Sequence, residues 1–433
     1  MTEVQTELVE VNRLGIGMFI DLELGWMSHP FPKGSFKISS EKQIEIIRGL
    51  GLSRVRYLPG KSDLRPGLPV TKVPESVVDS SLAAESELLR IKEQEMLLRK
   101  QRNELLDAQQ RGLAVCERRF GNAMRQYRST VEQASSKPRA TMEQCLELIN
   151  TYVADVSGVG ESAIRLLSEG MGDKAAMHPV NVTVVSLLLG KSMGLPQPDL
   201  VELGMAAFLH DIGKFQLPDR VRWREENFSS AEYKLYQEHV GQGVTLAQRM
   251  GLTAGALQAI AQHHELMDGN GFPARLKGES LSMPAKILGL VNRYDNLCNP
   301  GRPAAAVTPH EALALIFAQF KVHFDSVVLS AFIRMMGVYP VGSVVQLVDG
   351  RFALVVSTNS SRPLKPRIVV HDPDVSKHEA LILDLEQVPE VGIRRSLKPA
   401  SLPRAAMDYL SPRQRICYFF ERAIDPSCAG VAL

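Results

Sequence analysis

Five of the ten histidines fall within residues 178–264, and their order suggests a shared chemical task. They are His178, His210, His239, His263 and His264. Asp211 directly follows His210. Imidazole is a common ligand for iron, manganese, zinc and nickel, and a carboxylate beside a histidine can bridge two ions. The pattern predicts a dinuclear metal site. Two such ions can grip a phosphodiester and lower the pKa of a bound water, so phosphoester hydrolysis is the expected reaction class.

The alternative for any one of these histidines is a hydrogen-bonded core residue. His210 and Asp211 end the apolar run 205-MAAFL-209, where unpaired polar groups would be destabilising. A lone histidine in that position favours the core interpretation. Five histidines in this order, together with an aspartate, favour metal binding.

Two motifs narrow the reaction class. The segments 209-LHDIGKFQLPD-219 and 263-HHELMDGNGFPARLKG-278 flank the stretch that supplies His239 and, four residues later, Gly243. In these motifs the chain resembles the HD-GYP family, a branch of the HD-domain phosphohydrolases. The resemblance covers roughly residues 140 to 325, about the size of a domain. It implies hydrolysis of the bacterial second messenger cyclic di-GMP to linear pGpG, with further cleavage to GMP left open.

The resemblance also implies a ligand set for two divalent ions. His178, His210 and Asp211 serve one ion, together with the position that Asn292 occupies. Asp211 bridges to a second ion. That second ion is held by His239, His263 and His264. Iron or manganese is the expected metal, with zinc or nickel as alternatives for a nitrogen-rich ligand shell.

Other residues are predicted to act on the substrate. By resemblance, Asp211 is catalytic as the bridging ligand and Lys214 places an ammonium beside the scissile phosphate, where fixed positive charge is effective. A solvated surface lysine is the alternative. The predicted substrate-binding residues are Lys214, Gly271, Phe272, Pro273 and Arg302. Glu265 and Asp268 lie close to the tandem histidines, where they could accept ring N–H groups or remain at the surface.

The sequence departs from the family pattern at several positions. Asn292 stands where the family has an aspartate ligand, and a neutral amide binds a cation more weakly. Phe272 replaces the tyrosine of the family name and keeps only the ring. Lys174 replaces a glutamate that binds a third metal in some members, so a trinuclear site is not expected. Arg302 matches a phosphate contact, whereas Ala305 does not.

Composition excludes several classes of partner. The 50 Lys and Arg residues nearly balance 48 Asp and Glu residues, so no broad basic face for a nucleic-acid polymer is expected. The longest apolar run, 180-VNVTVVSLLLG-190, is too short for membrane insertion. Five scattered cysteines, without paired spacing, indicate a reducing cytoplasm. Cyclic di-GMP is the expected partner, and a homodimer or a signalling protein is left open.

The pattern of elements predicts a mainly α protein in several parts. We expect a small N-terminal α+β domain at 1–75, which resembles the domain of unknown function that often precedes HD-GYP domains. A helical linker at 76–138 reads either as a solvated connecting helix or as a dimerisation coiled coil. An HD-type helical bundle at 139–330 carries the metal ligands. A small β-rich module at 335–433 follows, with a hairpin signal at Asp349-Gly350.

Two functions from different classes remain open at this point, and a third possibility is an HD phosphohydrolase that acts on another phosphoester. The first is a metal-dependent cyclic di-GMP phosphodiesterase that controls second-messenger signalling. The second is a catalytically weak HD-GYP domain that acts as a cyclic di-GMP sensor or protein-interaction module. Asn292 is the discriminating residue, because its neutral side chain weakens the first metal position.

Overall fold

The computed structural model describes residues 6–24, 31, 34–63, 80–158, 162–168, 174–223, 228–359 and 365–422. The chain divides into two compact units, residues 1–107 with 430–433, and residues 108–429. The predicted domain limits near residues 75, 138 and 335 stay a prediction. The predicted fold class, a mainly α protein with an N-terminal α+β part and a strand-rich C-terminal part, is confirmed.

Within its described residues, the first unit contains a four-stranded antiparallel sheet and a short helix that packs on it. The elements are β1 (Glu7–Glu10), β2 (Phe19–Asp21), β3 (Ser35–Lys37), α1 (Glu41–Gly49) and β4 (Arg54–Tyr57), and the strand order is β1-β4-β2-β3. Ile44 and Ile47 of α1 are buried in one core with Ile20 of β2 and Tyr57 of β4. The helix therefore covers one face of the sheet, as its apolar spacing predicts.

Helix α2 runs from Ser80 to Gln133. Its later part is buried, with Cys116, Phe120 and Tyr127 in the core of the second unit. Leu89 and Met96 in its earlier part are exposed. The prediction of a long helix at 80–134 is confirmed, and the choice between a solvated helix and a coiled coil stays open.

The second unit contains a helical bundle. Its helices are α3 (Pro138–Ser157), α4 (Lys174–Ser192), α5 (Gln197–Leu209), α6 (Ser230–Met250), α7 (Ala254–Gln262), α8 (Met283–Cys298), α9 (Pro309–Gln319) and α10 (Ser326–Met336). Residues 176–190 of α4 are buried without exception, so this helix lies at the centre of the bundle and packs against α3, α5 and α8. A helix that is apolar all round requires such a position.

A seven-stranded antiparallel sheet completes the second unit. It consists of β5 (Ser162–Leu166), β6 (Val344–Leu347), β7 (Phe352–Asn359), β8 (Arg367–Val370), β9 (Ile382–Asp384), β10 (Ile393–Leu397) and β11 (Tyr418–Arg422), with a short helix α11 (Arg404–Leu410) before the last strand. Five of the strands follow the order β10-β6-β7-β5-β11. Strand β8 also pairs with β7, and β9 pairs with β8. The predicted hairpin at Asp349-Gly350 joins β6 to β7, and Gly350 has φ +93°.

Strand β5 departs from the sequence prediction. It lies within the segment 139–325 that the pattern indicated as helical nearly throughout, yet it pairs with both β7 and β11. Five residues are too few for a decisive period-two signal, and long-range pairing decides their conformation. The β-rich part is therefore one sheet with a strand from the helical region, and β11 also packs against α4.

Candidate metal centre

Five helices of the bundle bring the predicted ligands together. His178 lies in α4, His239 in α6 and Asn292 in α8, whereas His210 and His263 immediately follow the last residues of α5 and α7. Asp211 precedes the 3-10 turn Ile212–Gln216, and His264 follows His263. Each side chain except His264 is almost completely buried. The predicted ligands from distant parts of the sequence therefore meet inside the protein.

The first half-site consists of His178, His210, Asp211 and Asn292. Nε2 of His178 lies 3.3 Å from Nε2 of His210 and 3.1 Å from Oδ1 of Asn292. Oδ2 of Asp211 lies 3.6 Å from Nε2 of His178 and 3.3 Å from Nε2 of His210. When two ligand atoms each bind one ion at about 2.1 Å, the two atoms lie about 3 to 3.5 Å apart, which is close to the separations in this half-site.

The second half-site consists of Asp211, His239, His263 and His264. Nε2 of His239 lies 3.6 Å, and Nε2 of His263 lies 3.7 Å, from Oδ1 of Asp211. Ligand atoms of these four residues lie within 4.8 Å of one another. The two carboxylate oxygens of Asp211 thus face different half-sites, which is the arrangement that a bridging ligand requires.

The hydrogen bonds of the rings fix where their protons lie. Nδ1 of His210, His239 and His263 donates to the carbonyl oxygen three residues earlier, at Ala207, Tyr236 and Ile260 respectively. A carbonyl can only accept, so each Nδ1 carries the proton and each Nε2 presents a lone pair. The Nε2 atoms are then available to a cation.

Buried polar atoms without a hydrogen-bond partner show whether these residues suit a metal ion. Among the residues that the structure describes, no hydrogen-bond partner satisfies Oδ1 of Asp211 or Nε2 of His239, His263 and His264. Buried acceptors without donors are destabilising unless a cation satisfies them. The donor set of imidazole nitrogens and a carboxylate oxygen therefore fits divalent transition-metal ions.

Burial keeps the imidazoles neutral. It lowers the pKa of His178 and His263, and it lowers the pKa of His264 well below its usual range. Burial and the charge of Lys214 lower the pKa of His239 to about 3. Neutral imidazole is the form that binds a metal, so these rings need no deprotonation at neutral pH.

Lys214 lies against the centre rather than at the surface. Its Nζ donates to Oδ2 of Asp211 at 2.6 Å and lies over the rings of Trp223 and Tyr236, 5.3 and 5.4 Å from their centroids. Burial opposes ionisation of Asp211, but His210 and Lys214 outweigh it and hold the pKa of Asp211 well below its usual range. Lys214 is thus a fixed cation beside the carboxylate.

Gly213 allows the turn after Asp211 to approach α6. A Cβ on Gly213 would lie 2.0 Å from the carbonyl oxygen of His239 and 2.5 Å from the backbone nitrogen of Gly243. Any side chain at position 213 would therefore separate Asp211 from the helix that carries His239. A Cβ on Gly243 would lie 3.4 Å from its nearest neighbour, the backbone nitrogen of Gly213, so the steric requirement falls on position 213.

Asn292 presents its amide oxygen to the first half-site. Nδ2 of Asn296 donates to Oδ1 of Asn292 at 2.7 Å and to its backbone carbonyl at 2.9 Å. The donor from Asn296 occupies one lone pair of the oxygen and leaves the other facing His178. The oxygen can still coordinate an ion, but it brings no negative charge.

The loop after the tandem histidines is fixed by Glu265. The Glu265 carboxylate accepts the backbone N–H groups of Ala274 and Leu276 at 2.6 and 2.9 Å. Asp268 instead accepts from Asn270 and lies beside His323. Neither carboxylate accepts the Nδ1–H of His239 or His263, which donate instead to the backbone carbonyls of Tyr236 and Ile260.

Gly271 and Phe272 lie directly against His264. The Phe272 ring stacks on His264 with centroids 4.5 Å apart, and its backbone N–H donates to the His264 carbonyl. A Cβ on Gly271 would lie 2.6 Å from the same carbonyl oxygen. The predicted residues 271–273 also line a polar cavity of about 330 Å³, together with Tyr233, Gln237, Asn270 and Arg275.

Arg302 and Lys174 are two further residues that the sequence analysis singled out. Arg302 is exposed and precedes the short turn Pro303–Ala305. Nζ of Lys174 lies 5.2 Å from the centroid of Trp223, the ring that Lys214 also faces. Burial and the charge of Lys214 lower the pKa of Lys174 to about 8. Trp223 is thus shared by two lysines, which the sequence analysis did not foresee.

Sequence reasoning also missed the residues behind His178. Nδ1 of His178 lies 2.5 Å from Oδ2 of Asp295, and the other oxygen of Asp295 accepts from Asn181 and Asn299. Asn181 lies in the apolar run 180-VNVTVV-185. An amide within such a run must be hydrogen-bonded when buried, and this was the available signal.

Comparisons with known proteins agree with this arrangement. Residues 128–328 match the HD domain, and residues 7–145 match a domain of unknown function, DUF3391. The chain is 26% identical over 376 residues to the cyclic di-GMP phosphodiesterase PA4108 of Pseudomonas aeruginosa, and the match covers 84% of each protein. It is 31% identical over 215 residues to the cyclic di-GMP phosphodiesterase response regulator RpfG of Xanthomonas campestris pv. campestris. That match covers 48% of this chain and 57% of the relative.

A solved structure is also similar. Bd1817, an HDG"Y"P protein from Bdellovibrio bacteriovorus, is 15% identical, with a TM-score of 0.41, and the match covers 76% of this chain and 98% of that chain. Within the described residues, no helix is both long and apolar enough to cross a membrane. The buried histidines and Asp211 all lie within the part of the chain that matches the HD domain.

Proposed function

We propose that this protein is a cyclic di-GMP phosphodiesterase of the HD-GYP type that uses two divalent ions. One observation carries the proposal: Asp211 directs one carboxylate oxygen to each of two groups of buried acceptors. The names of PA4108 and RpfG support the substrate. Iron or manganese is the proposed metal, pGpG the first product, and the cytoplasm the proposed location.

Each of the clustered side chains has its own proposed role in the reaction. When bound, two divalent ions supply Lewis acidity to the phosphate and lower the pKa of water. His178, His210 and Asn292 hold one position, His239, His263 and His264 hold the other, and Asp211 belongs to both. Lys214, fixed on Asp211, offsets negative charge that develops on the phosphate oxygens.

Substrate binding is proposed for the surfaces beside the centre. Gly271, Phe272 and Pro273 line the 330 Å³ cavity, and Phe272 is also in contact with His264. A purine base could stack on an aromatic ring in this cavity, which is a sequence-tolerant contact. Arg302, exposed at the start of its turn, is proposed as a phosphate contact. The contact of Phe272 with His264 supports the proposal that a base binds beside a metal ligand.

A sensor function has its own supporting observation. Asn292 is neutral, and Asn296 already donates to its oxygen, so the first half-site has a single carboxylate in Asp211. Weak binding of the first ion would leave a domain that binds the nucleotide without cleaving it. This alternative predicts tight nucleotide binding and no product.

Turnover by the purified full chain tests the proposal. The protein is reconstituted anaerobically with ferrous iron or manganese and incubated with cyclic di-GMP, and products are separated by chromatography. We expect linear pGpG from the wild-type protein and none from the double variant His210→Ala, Asp211→Ala. Tight binding of cyclic di-GMP without product from the wild-type protein would instead establish the sensor. Failure to bind cyclic di-GMP would overturn both functions.

A further inference from the structure

His178 differs from the other ligands in what holds its ring. His210, His239 and His263 each donate Nδ1 to a carbonyl three residues earlier in their own segment. Nδ1 of His178 instead contacts Oδ2 of Asp295, a residue 117 positions away in α8. The orientation of His178 therefore depends on whatever fixes Asp295.

Two asparagines fix Asp295 from behind. Nδ2 of Asn181 and Nδ2 of Asn299 each donate to Oδ1 of Asp295 at 2.9 Å. All three residues are at most 2% exposed. With His178 on Oδ2, the carboxylate has partners on both oxygens and cannot rotate without breaking several buried hydrogen bonds.

The same two asparagines are bound to the chain just before and within β11. Both Nδ2 groups also donate to the carbonyl oxygen of Ile416, at 2.8 and 2.9 Å. In return, the backbone N–H of Ile416 donates to Oδ1 of Asn299 at 2.8 Å. The backbone N–H of Tyr418 donates to Oδ1 of Asn181 at 3.1 Å. Each asparagine thus joins Asp295 to residues 416–418.

Residues 416–418 lie outside the part of the chain that matches the HD domain, which ends at residue 328. The sequence analysis assigned them to a C-terminal β-rich module without a function. Their place in the structure is defined by β11, which pairs with β5. They are therefore held by the sheet on one side and hold two asparagines of the bundle on the other.

We propose that residues 416–418 position the first half-site through Asn181, Asn299 and Asp295. The inference rests on the proposed two-metal centre. A carboxylate that accepts the second ring nitrogen of a ligand histidine fixes the ring and raises its basicity. The C-terminal strand thereby controls the affinity of one metal position. The second half-site, in which His239 and His263 are oriented by carbonyls three residues earlier, is independent of it.

Metal binding in half-site backgrounds tests this inference without any nucleotide. The His239→Ala background retains the first half-site, and the His178→Ala background retains the second. Dissociation constants for Mn²⁺ are measured by electron paramagnetic resonance of the free ion. Adding Asn181→Ala or Asn299→Ala to the first background is expected to weaken Mn²⁺ binding about 10- to 100-fold. The same substitutions in the second background are expected to change binding less than about twofold, since they lie behind His178 alone.

A matched control separates positioning from a general loss of packing. Thr183 is buried in the same helix as Asn181 and donates only to the Pro179 carbonyl, so Thr183→Val removes a buried hydroxyl outside the network. We expect Thr183→Val to leave Mn²⁺ binding unchanged in both backgrounds. Retained binding in the His178→Ala background also shows that an asparagine variant is folded.

Three outcomes would overturn the inference. Equal weakening in both backgrounds would show a structural effect, and so would weakening by Thr183→Val. Unchanged binding in the His239→Ala background would show that His178 needs no support from the strand. If the wild-type protein does not bind two Mn²⁺ ions, the proposed metal centre itself fails, and that result is distinct from these three.

Discussion

The two half-sites share Asp211 but are organised in different ways. In the second half-site, His239 and His263 are oriented by carbonyls of Tyr236 and Ile260, three residues earlier. In the first, His178 is oriented by Asp295, which depends on a buried network that reaches Ile416. One half-site is built from local backbone geometry, and the other requires distant parts of the chain.

This difference affects how tightly each half-site binds its ion and how strongly that binding depends on the rest of the protein. The second half-site has three histidines whose Nε2 atoms are buried without partners. The first has two histidines and a neutral amide that already accepts a hydrogen bond from Asn296. We expect the second half-site to bind its ion more tightly and to tolerate changes elsewhere in the protein. Substitutions that change ion binding at the first half-site should therefore change the turnover more than substitutions elsewhere in the protein.

The largest effect is expected from Asp211→Asn, because Asp211 is common to both half-sites. The substitution removes the bridging charge and leaves Lys214 buried beside a neutral amide. We expect loss of both ions and a fall in turnover of about 10³-fold, comparable to removal of a major electrostatic contribution. Metal counting and product chromatography measure the two effects.

His210→Ala is the matched control for that comparison. It removes a ligand of the first half-site only, so one ion should remain bound. If Asp211→Asn retained one ion with wild-type affinity, Asp211 would belong to a single half-site and the comparison would fail.

An intermediate effect is expected from Asn292→Asp. The carboxylate adds a negative charge 3.1 Å from Nε2 of His178, where a cation is proposed. We expect the first ion to bind about tenfold more tightly, a gain of about 1.4 kcal/mol for one charge in a partly shielded site. Titration in the His239→Ala background measures this affinity, and cyclic di-GMP turnover is measured in the otherwise wild-type chain.

The control for Asn292→Asp is the same substitution in the His178→Ala background, where binding should not change. Higher turnover with Asn292→Asp would show that the natural amide limits the enzyme. Weaker or unchanged binding at the first half-site would contradict a coordinating role for residue 292.

The smallest effect is expected from Arg275→Gly, in the loop beside the second half-site. Arg275 has φ +56°, and its neighbours Ala274 and Leu276 are both fixed by Glu265. A residue with a Cβ is strained in this region, so glycine should stabilise the folded protein by about 1 kcal/mol. Arg275→Ala shortens the side chain but keeps a Cβ at this positive φ. The free energies of unfolding of the two variants are measured with denaturant, and their difference gives the cost of the strained backbone.

Neither variant should alter Mn²⁺ affinity, because Arg275 is not a ligand. A less stable Arg275→Gly protein, relative to Arg275→Ala, would show that the loop does not store backbone strain.

The ligands could be predicted from sequence, whereas the supports of the first half-site could not. Histidine and aspartate types, in a motif order, indicated both half-sites, and the structure brings all of these residues together. The carbonyls behind His210, His239 and His263 follow from helical spacing. Asp295, Asn181 and Asn299 meet residues 416–418 only through tertiary pairing of β11 with β5, which no local pattern encodes.

Contacts between distant residues, which no local pattern encodes, also explain two differences between the sequence prediction and the structure. Strand β5 is too short to be recognised, and its partners lie more than 190 residues later in the chain. For Glu265, the sequence left open whether its carboxylate accepts a ring N–H or lies at the surface. The loop that folds back over it supplies two backbone N–H groups instead, and loop conformation was not predictable from the motif.

The most direct test of the two-half-site centre is the number of Mn²⁺ ions bound by the wild-type protein, His178→Ala and His239→Ala. Measured by equilibrium titration on the same folded preparations, these numbers should be two, one and one, with the tighter ion retained in His178→Ala. A single ion in the wild-type protein, or loss of both ions in either single variant, would contradict the account.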